Sequence, residues 1–162
     1  MHYAETNIVP DALEAEYPQN INFEDLPNRV NNIKDDLLDI INGKPKSWFR
    51  NLALSIYYEV GPRKARSPMV LMGRIDHLRS GYYGPKGEMI IAKTLSRLFL
   101  ETNILTSENS KPQTPVEFLH EVLIPETIVR LISQDKKNLS LKEARKIMRE
   151  SSDYGLYKYG DD

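Results

Sequence analysis

The sequence predicts an all-α protein, a compact single-domain bundle of about six or seven helices. Three observations carry the prediction. Apolar residues recur at three- and four-residue spacing along most of the chain, the period of a helix with one buried face. Start signals precede those stripes. Thr114 with Glu117 and Ser140 with Glu143 each read as a capping box, and Pro115 takes a first helical position, where its missing N–H costs nothing. Stop signals follow, among them Asn42-Gly43, Gly61-Pro62 and Gly155. The stretch from Thr114 to Gly155 holds the densest apolar run, from Phe118, Leu119, Val122 and Leu123 to Leu131 and Ile132. It reads as the core around which the rest is arranged.

Residues 1–22, punctuated by Pro10 and Pro18, read as an extended N-terminal segment. Asp25 is the expected N-cap of a first helix from Leu26 to about Ile41, with Leu26, Val30, Ile33, Leu37 and Ile40 facing inward. Ser47 should cap a second, Trp48 to about Val60, on a stripe of Phe49, Leu52, Ile56 and Val60. Ser67-Pro68 opens a third that runs to about Leu78, although Val70, Leu71 and Met72 equally suit a short strand. SGYYGPKG, residues 80–87, is the most turn-rich stretch in the chain. A fourth helix spans about Glu88 to Glu101, and TSENSKPQ, 106–113, reads as a protease-sensitive surface loop. Pro125, which lacks an N–H, is expected to divide 115–135 into two helices. The last helix runs from Leu141 to Tyr154, and 156–162 form a tail.

A chain of 162 residues is long enough to bury a core without metal or disulfide support. The absence of cysteine excludes structural disulfides and thiol catalysis. No apolar run approaches the ~20 residues that span a bilayer, and the first residues lack the basic and apolar regions of a signal peptide. No membrane partner is therefore expected. Net charge is −1, unevenly spread: −5 over residues 1–60, +6 over 61–100 and −2 over 101–162. The basic middle third either pairs with the acidic flanks in the fold or faces an acidic partner.

The chemistry-bearing residues give little. His2, His77 and His120 have no second ligand at metal spacing, and no nucleophile elbow or Ser-x-x-Lys motif occurs. No catalytic residue, metal or cofactor is expected. SGYYGPKG lacks the spacing of a phosphate loop. It is open between a structural turn packed by its tyrosines and an exposed aromatic loop suited to protein or nucleic-acid contact. The basic residues Arg63, Lys64, Arg66, Arg74, Arg79 and Lys86 are open between two roles. They either form a solvated face paired with acids such as Asp35, Asp36 and Asp39, or grip phosphates or an acidic peptide. The candidate partner-binding set is Tyr82, Tyr83, Arg63, Lys64, Arg66, Arg79 and Lys86.

Four blocks, GYYGPKG (81–87), VLIPE (122–126), LISQD (131–135) and ARKIMRESSDYG (144–155), resemble the fungal restriction-of-telomere-capping protein C-terminal domain family. EYPQNINFEDLPNRV near the front looks like the opening of that domain, so the likeness spans nearly the whole chain. The resemblance implies the C-terminal module of a longer, largely disordered fungal protein, nuclear and cytoplasmic, linked to telomere capping. It carries no catalytic residue set. The expectation is a non-enzymatic protein-interaction or scaffold module in a chromatin-related setting. The alternative is a nucleic-acid-binding domain using the basic segment 63–86. The net charge and acidic flanks favour a protein partner, because nucleic-acid domains are usually basic overall.

Overall fold

The computed structural model describes residues 8–73 and 80–160, and no strand occurs among them. The fold is all-α, as the stripes and caps predict. Its spine is α7 (Pro115–Phe118), a π-helical turn (Leu119–Leu123) and α8 (Ile124–Asp135). Thr114 and Glu117 form the full capping box at its start. Val122, Leu123, Ile124, Ile128, Val129, Leu131 and Ile132 are all buried, and from Val122 to Val129 every residue of the spine is covered. Two helices fill 115–135 as expected, with Pro125 in the first turn of the second, but a π turn rather than a loop joins them. Leu123 and Ile124 keep right-handed helical angles, and the π turn lies just where the proline cannot donate.

The other helices wrap this spine. α1 (Val9–Glu14) occupies part of the segment expected to be extended, and Ala12 enters the core at 0% exposure. A 3-10 turn (Phe23–Asp25) leads into α2 (Leu26–Asn32) and α3 (Lys34–Ile41). Asn22, not Asp25, provides the cap here, its side chain accepting from the Asp25 N–H. The expected single helix breaks at Ile33, whose N–H bonds three residues back to Val30, while its carbonyl starts the next helix by accepting from Leu37. Leu26, Val30, Ile33, Leu37 and Ile40 are nevertheless all buried. Gly43, at φ 73°, ends α3 in a Schellman arrangement, with Gly43 N–H on Ile40 and Lys44 N–H on Asp39.

α4 (Trp48–Ala65) starts with the Ser47 cap as expected and leaves helical geometry at Gly61 (φ 82°) before resuming through Pro62. Its buried row is Phe49, Ala53 and Tyr57, whereas the expected Leu52, Ile56 and Val60 are only half-buried. Apolar residues surround this helix, so two rows compete and spacing alone does not choose between them. α5 (Pro68–Gly73) is helical, not a strand, and the rest of the expected third helix lies outside the described residues.

α6 (Gly84–Leu95) begins four residues before its expected start, directly after a 3-10 turn (Gly81–Tyr83), and a second π turn (Ser96–Leu100) extends it. Of the expected stripe Ile91, Leu95, Leu98 and Phe99, all are buried except Leu98, which is half-buried. The 106–113 segment is pinned rather than loose. Ser110 is fully buried, and Arg50 donates to the Asn109 carbonyl at 3.0 Å while stacking on Phe118.

α9 (Leu141–Tyr159) is capped by Ser140 and passes through Gly155 to absorb most of the expected tail. Gly155 is not a stop. It lies against the 3-10 turn so closely that a Cβ there would stand 2.0 Å from the Gly81 carbonyl oxygen. A Cβ on Gly84 would in turn stand 2.4 Å from the Gly155 carbonyl oxygen. The last turn of α9 folds back on the front of the chain, with Lys158 and Tyr159 donating to the Gln19 carbonyl and the Tyr159 ring edge-on to Phe23.

Two glycines separate the two uses of this residue. Gly155→Ala is expected to abolish the cooperative thermal transition, because both clashing atoms belong to backbone. Gly43→Ala meets no atom within 4 Å and suffers only its positive φ, a loss of about 1–2 kcal/mol. Circular dichroism melts of the two variants test the contrast.

Candidate functional site

The candidate residues from the sequence do not form one site. Tyr82 and Tyr83 are 0% and 1% exposed, so the reading of them as an exposed aromatic anchor is corrected in favour of the structural turn. The contact of Gly81 and Gly84 with α9 holds the turn down and sends both rings inward. Their hydroxyls converge on one carboxylate. Tyr82 donates to Asp135 Oδ2 at 2.6 Å, and Tyr83 donates to the same oxygen. Arg29 closes the group through Asp135 Oδ1 at 2.9 Å, the Tyr83 hydroxyl at 3.0 Å and the Leu131 carbonyl at 3.3 Å. Burial first, and the neighbouring Asp135 charge with it, pushes both tyrosine pKa values far above their ordinary range. Asp135, which the sequence presents as ordinary helix surface, is the hub of this network.

The basic candidates are dispersed. Arg66 is held by Glu117, Nε to Oε2 at 2.5 Å and Nη2 to Oε1 at 2.9 Å, and lies over the Tyr57 ring. Its partner is therefore the capping glutamate of α7, not the expected Asp35, Asp36 or Asp39. The Arg66 contact lowers the Glu117 pKa to about 2, and burial raises that of Tyr57 to about 12. Arg63 and Lys64 are exposed at the end of α4 and make no ion pair among the described residues. Lys86 lies at the opposite end of the candidate segment, over the Phe23 ring at 4.7 Å. Arg74, Arg79, His2 and His77 fall outside the described residues, and His120 is exposed on the π turn of the spine. Among the described residues no three His, Cys, Asp or Glu side chains gather as a metal-binding group.

The structure assembles a different site, where α4 and α9 both begin. Ser47 accepts from the Arg50 N–H and donates to the buried Glu126, which Arg130 holds at 2.6 Å. This chain of bonds locks the start of α4 to α8. Phe49 then points into the core at 1% exposure, while Trp48 stays at the surface at 39%. α9 lies alongside. Burial of Ala144 and Met148 leaves Lys142, Arg145, Lys146 and Arg149 on its outer side. The Arg145 guanidinium stacks over Trp48 at 5.0 Å. Trp48, Phe49 and Met148 with these four cations and Glu143 line a groove of about 450 Å³. Four basic residues against one acid leave it with a formal charge of +3. The positive ends of both helix dipoles lie at the same place.

The sequence carries a trace of this groove. Lys142, Arg145, Lys146 and Arg149 stand at i, i+3, i+4 and i+7 behind a capped start, one face of a helix. Glu143, Glu150 and Asp153 on the same helix offset most of that charge in a sum along the chain.

The fold and groove together define a small all-helical domain with a cationic, aromatic-floored surface. The sequence profile of the RTC4-like domain (restriction of telomere capping protein 4) matches residues 42–157, and the chain belongs to that family. The match includes all four C-terminal blocks of the resemblance but not EYPQNINFEDLPNRV, which lies before residue 42. No curated protein and no solved structure gives a significant match.

Two stability measurements probe the geometry. Tyr82→Phe removes one hydrogen bond to a charged group and should cost about 1.5–3 kcal/mol in urea unfolding. Asp135→Ala should cost more, since it strands two buried hydroxyls and Arg29. For Glu117, a folded pKa below the ordinary 4.5 means that its charge stabilises the fold above that pH. The contribution is lost as pH falls towards 2. The melting-temperature gap between wild type and Glu117→Gln should be constant above pH 4.5 and close below it.

Proposed function

We propose that this chain is a non-enzymatic protein-interaction or scaffold module that serves telomere capping in the nucleus. Its docking surface is the groove between α4 and α9. The carrying observation is the joining of a half-exposed tryptophan to four cations on a rigid two-helix frame. Tryptophan and arginine are the residues that dominate protein interfaces when truncated. Family membership supplies the telomere connection, which is a setting rather than a chemical activity. No helix among the described residues is long and apolar enough to cross a membrane.

The competing reading is nucleic-acid binding. A domain that neutralises phosphates must lose affinity steeply with salt, and reversal of its cations must weaken all sequences alike. Anisotropy titrations with single- and double-stranded DNA at low and physiological salt test this. The expected result is no binding tighter than the non-specific range. Micromolar, salt-sensitive binding that is lost in Arg145→Glu/Arg149→Glu or Arg63→Glu/Lys64→Glu would overturn the proposal. In nuclei, a photo-crosslinking residue at position 145 should give protein adducts that disappear with Trp48→Ala.

A further inference from the structure

We infer that the groove between α4 and α9 recognises a short, extended acidic segment of a partner protein that lays one bulky apolar side chain on Trp48. The inference rests on the interaction-module reading and names the chemistry of the partner.

Length is the first argument. Arg149 stands seven positions after Lys142, a rise of roughly 10 Å along a helix at ~1.5 Å per residue. An extended peptide covers that distance in about three residues at ~3.3 Å each. Carboxylates at both ends of such a segment therefore reach cations at both ends of the groove. The apolar residue between them meets the indole. A volume of about 450 Å³ suits one large side chain with its backbone, towards the small end of the ~300–1,000 Å³ of ordinary ligand sites.

Charge is the second argument. No carboxylate among the described residues pairs with Lys142, Arg145 or Arg149, and Lys146 meets Glu150 only at 3.9 Å, both exposed. Four cations at i, i+3, i+4 and i+7 repel one another along one helix face. An acidic ligand relieves that repulsion. The Arg145 guanidinium lies over the Trp48 ring at 5.0 Å, and it carries the fork of N–H donors that fits a carboxylate.

The third argument separates a peptide from a polyphosphate backbone. Glu143 lines the groove itself, and the exposed Glu150 follows Arg149 directly on α9. A nucleic-acid strand following the helix would run from the cations onto these carboxylates. A short peptide ends before them.

The chain has a single tryptophan, so its intrinsic fluorescence reports directly on the groove. The probe is a capped acidic peptide with a central phenylalanine. It is compared with its Asn/Gln counterpart, a neutral phosphoserine peptide and a short DNA duplex. A saturable fluorescence change with a micromolar Kd is expected for the acidic peptide alone. Binding should weaken as salt rises. Arg145→Glu/Lys146→Glu should raise Kd about 10-fold or more, equivalent to ~1.4 kcal/mol per decade. Lys93→Glu/Arg97→Glu, on α6 and the π turn that extends it, should leave it unchanged, and circular dichroism confirms that each variant is folded. Equal binding of the Asn/Gln peptide, preference for the phosphopeptide or the duplex, or indifference to the charge reversal each overturns the inference. If the acidic peptide fails while protein crosslinks from position 145 persist, the inference falls and the interaction-module reading stands. If the duplex binds instead, both fall.

Discussion

The contact between the Gly81 turn and Gly155 is the constraint on which much of this fold depends. Two backbones approach until no Cβ fits between them, inside α9 and a full turn before its end. A glycine inside a helix costs about 1 kcal/mol relative to alanine, and here that loss allows a 3-10 turn to lie flat on the helix. The rings of Tyr82 and Tyr83 then have nowhere to go but the core. Their hydroxyls need a partner there, and Asp135 supplies it. Asp135 in turn needs a counter-charge, which Arg29 brings from α2. One steric fact thus leads through hydrogen bonding to an ion pair, and ties α2, α8 and α9 to the turn. The GYYGPKG, LISQD and ARKIMRESSDYG blocks all meet at this point.

Much of the fold was legible in the sequence because helices declare themselves locally. Ser47, Thr114 and Ser140 cap as their chemistry requires, and the apolar stripes of α2, α3, α6 and the spine are buried as spaced. The misreadings share one cause. Gly155 was read by its commonest local role, helix termination, when a distant turn sets its real one. The break at Ile33 has no proline or glycine to announce it, only the helix-weak pair Asn31-Asn32 before it. Tyr82 and Tyr83 beside glycines and a lysine suit a contact loop equally well. Their burial is decided by the distant Gly155, against which the turn lies, and by Asp135, which accepts from both hydroxyls. Asp135 itself is an unremarkable helical acid until its neighbours are known.

The groove was the least legible feature, for a related reason. Its floor comes from the first residue of α4 and its rim from the first half of α9, segments far apart in the chain. Charge counted along the sequence points to residues 61–100, where Arg66 is already held by Glu117 and Lys86 covers Phe23. Charge counted in space points to α9, where acids on the same helix conceal the excess. The bond from Ser47 through Glu126 to Arg130 sets Trp48 on a frame anchored in the core. The surface is therefore stiff before any partner arrives, so little ordering entropy opposes docking.

The last turn of α9 holds the Gln19 carbonyl through Lys158 and Tyr159, and Tyr159 packs on Phe23. The chain thus enters and leaves this helical body through one doorway. A helical body whose two ends stand side by side takes up almost none of the distance between them, however many helices lie in the path. Tension applied to the two ends would work first on α1 and the last turn of α9, in a peeling geometry, and would leave the distant groove unstrained.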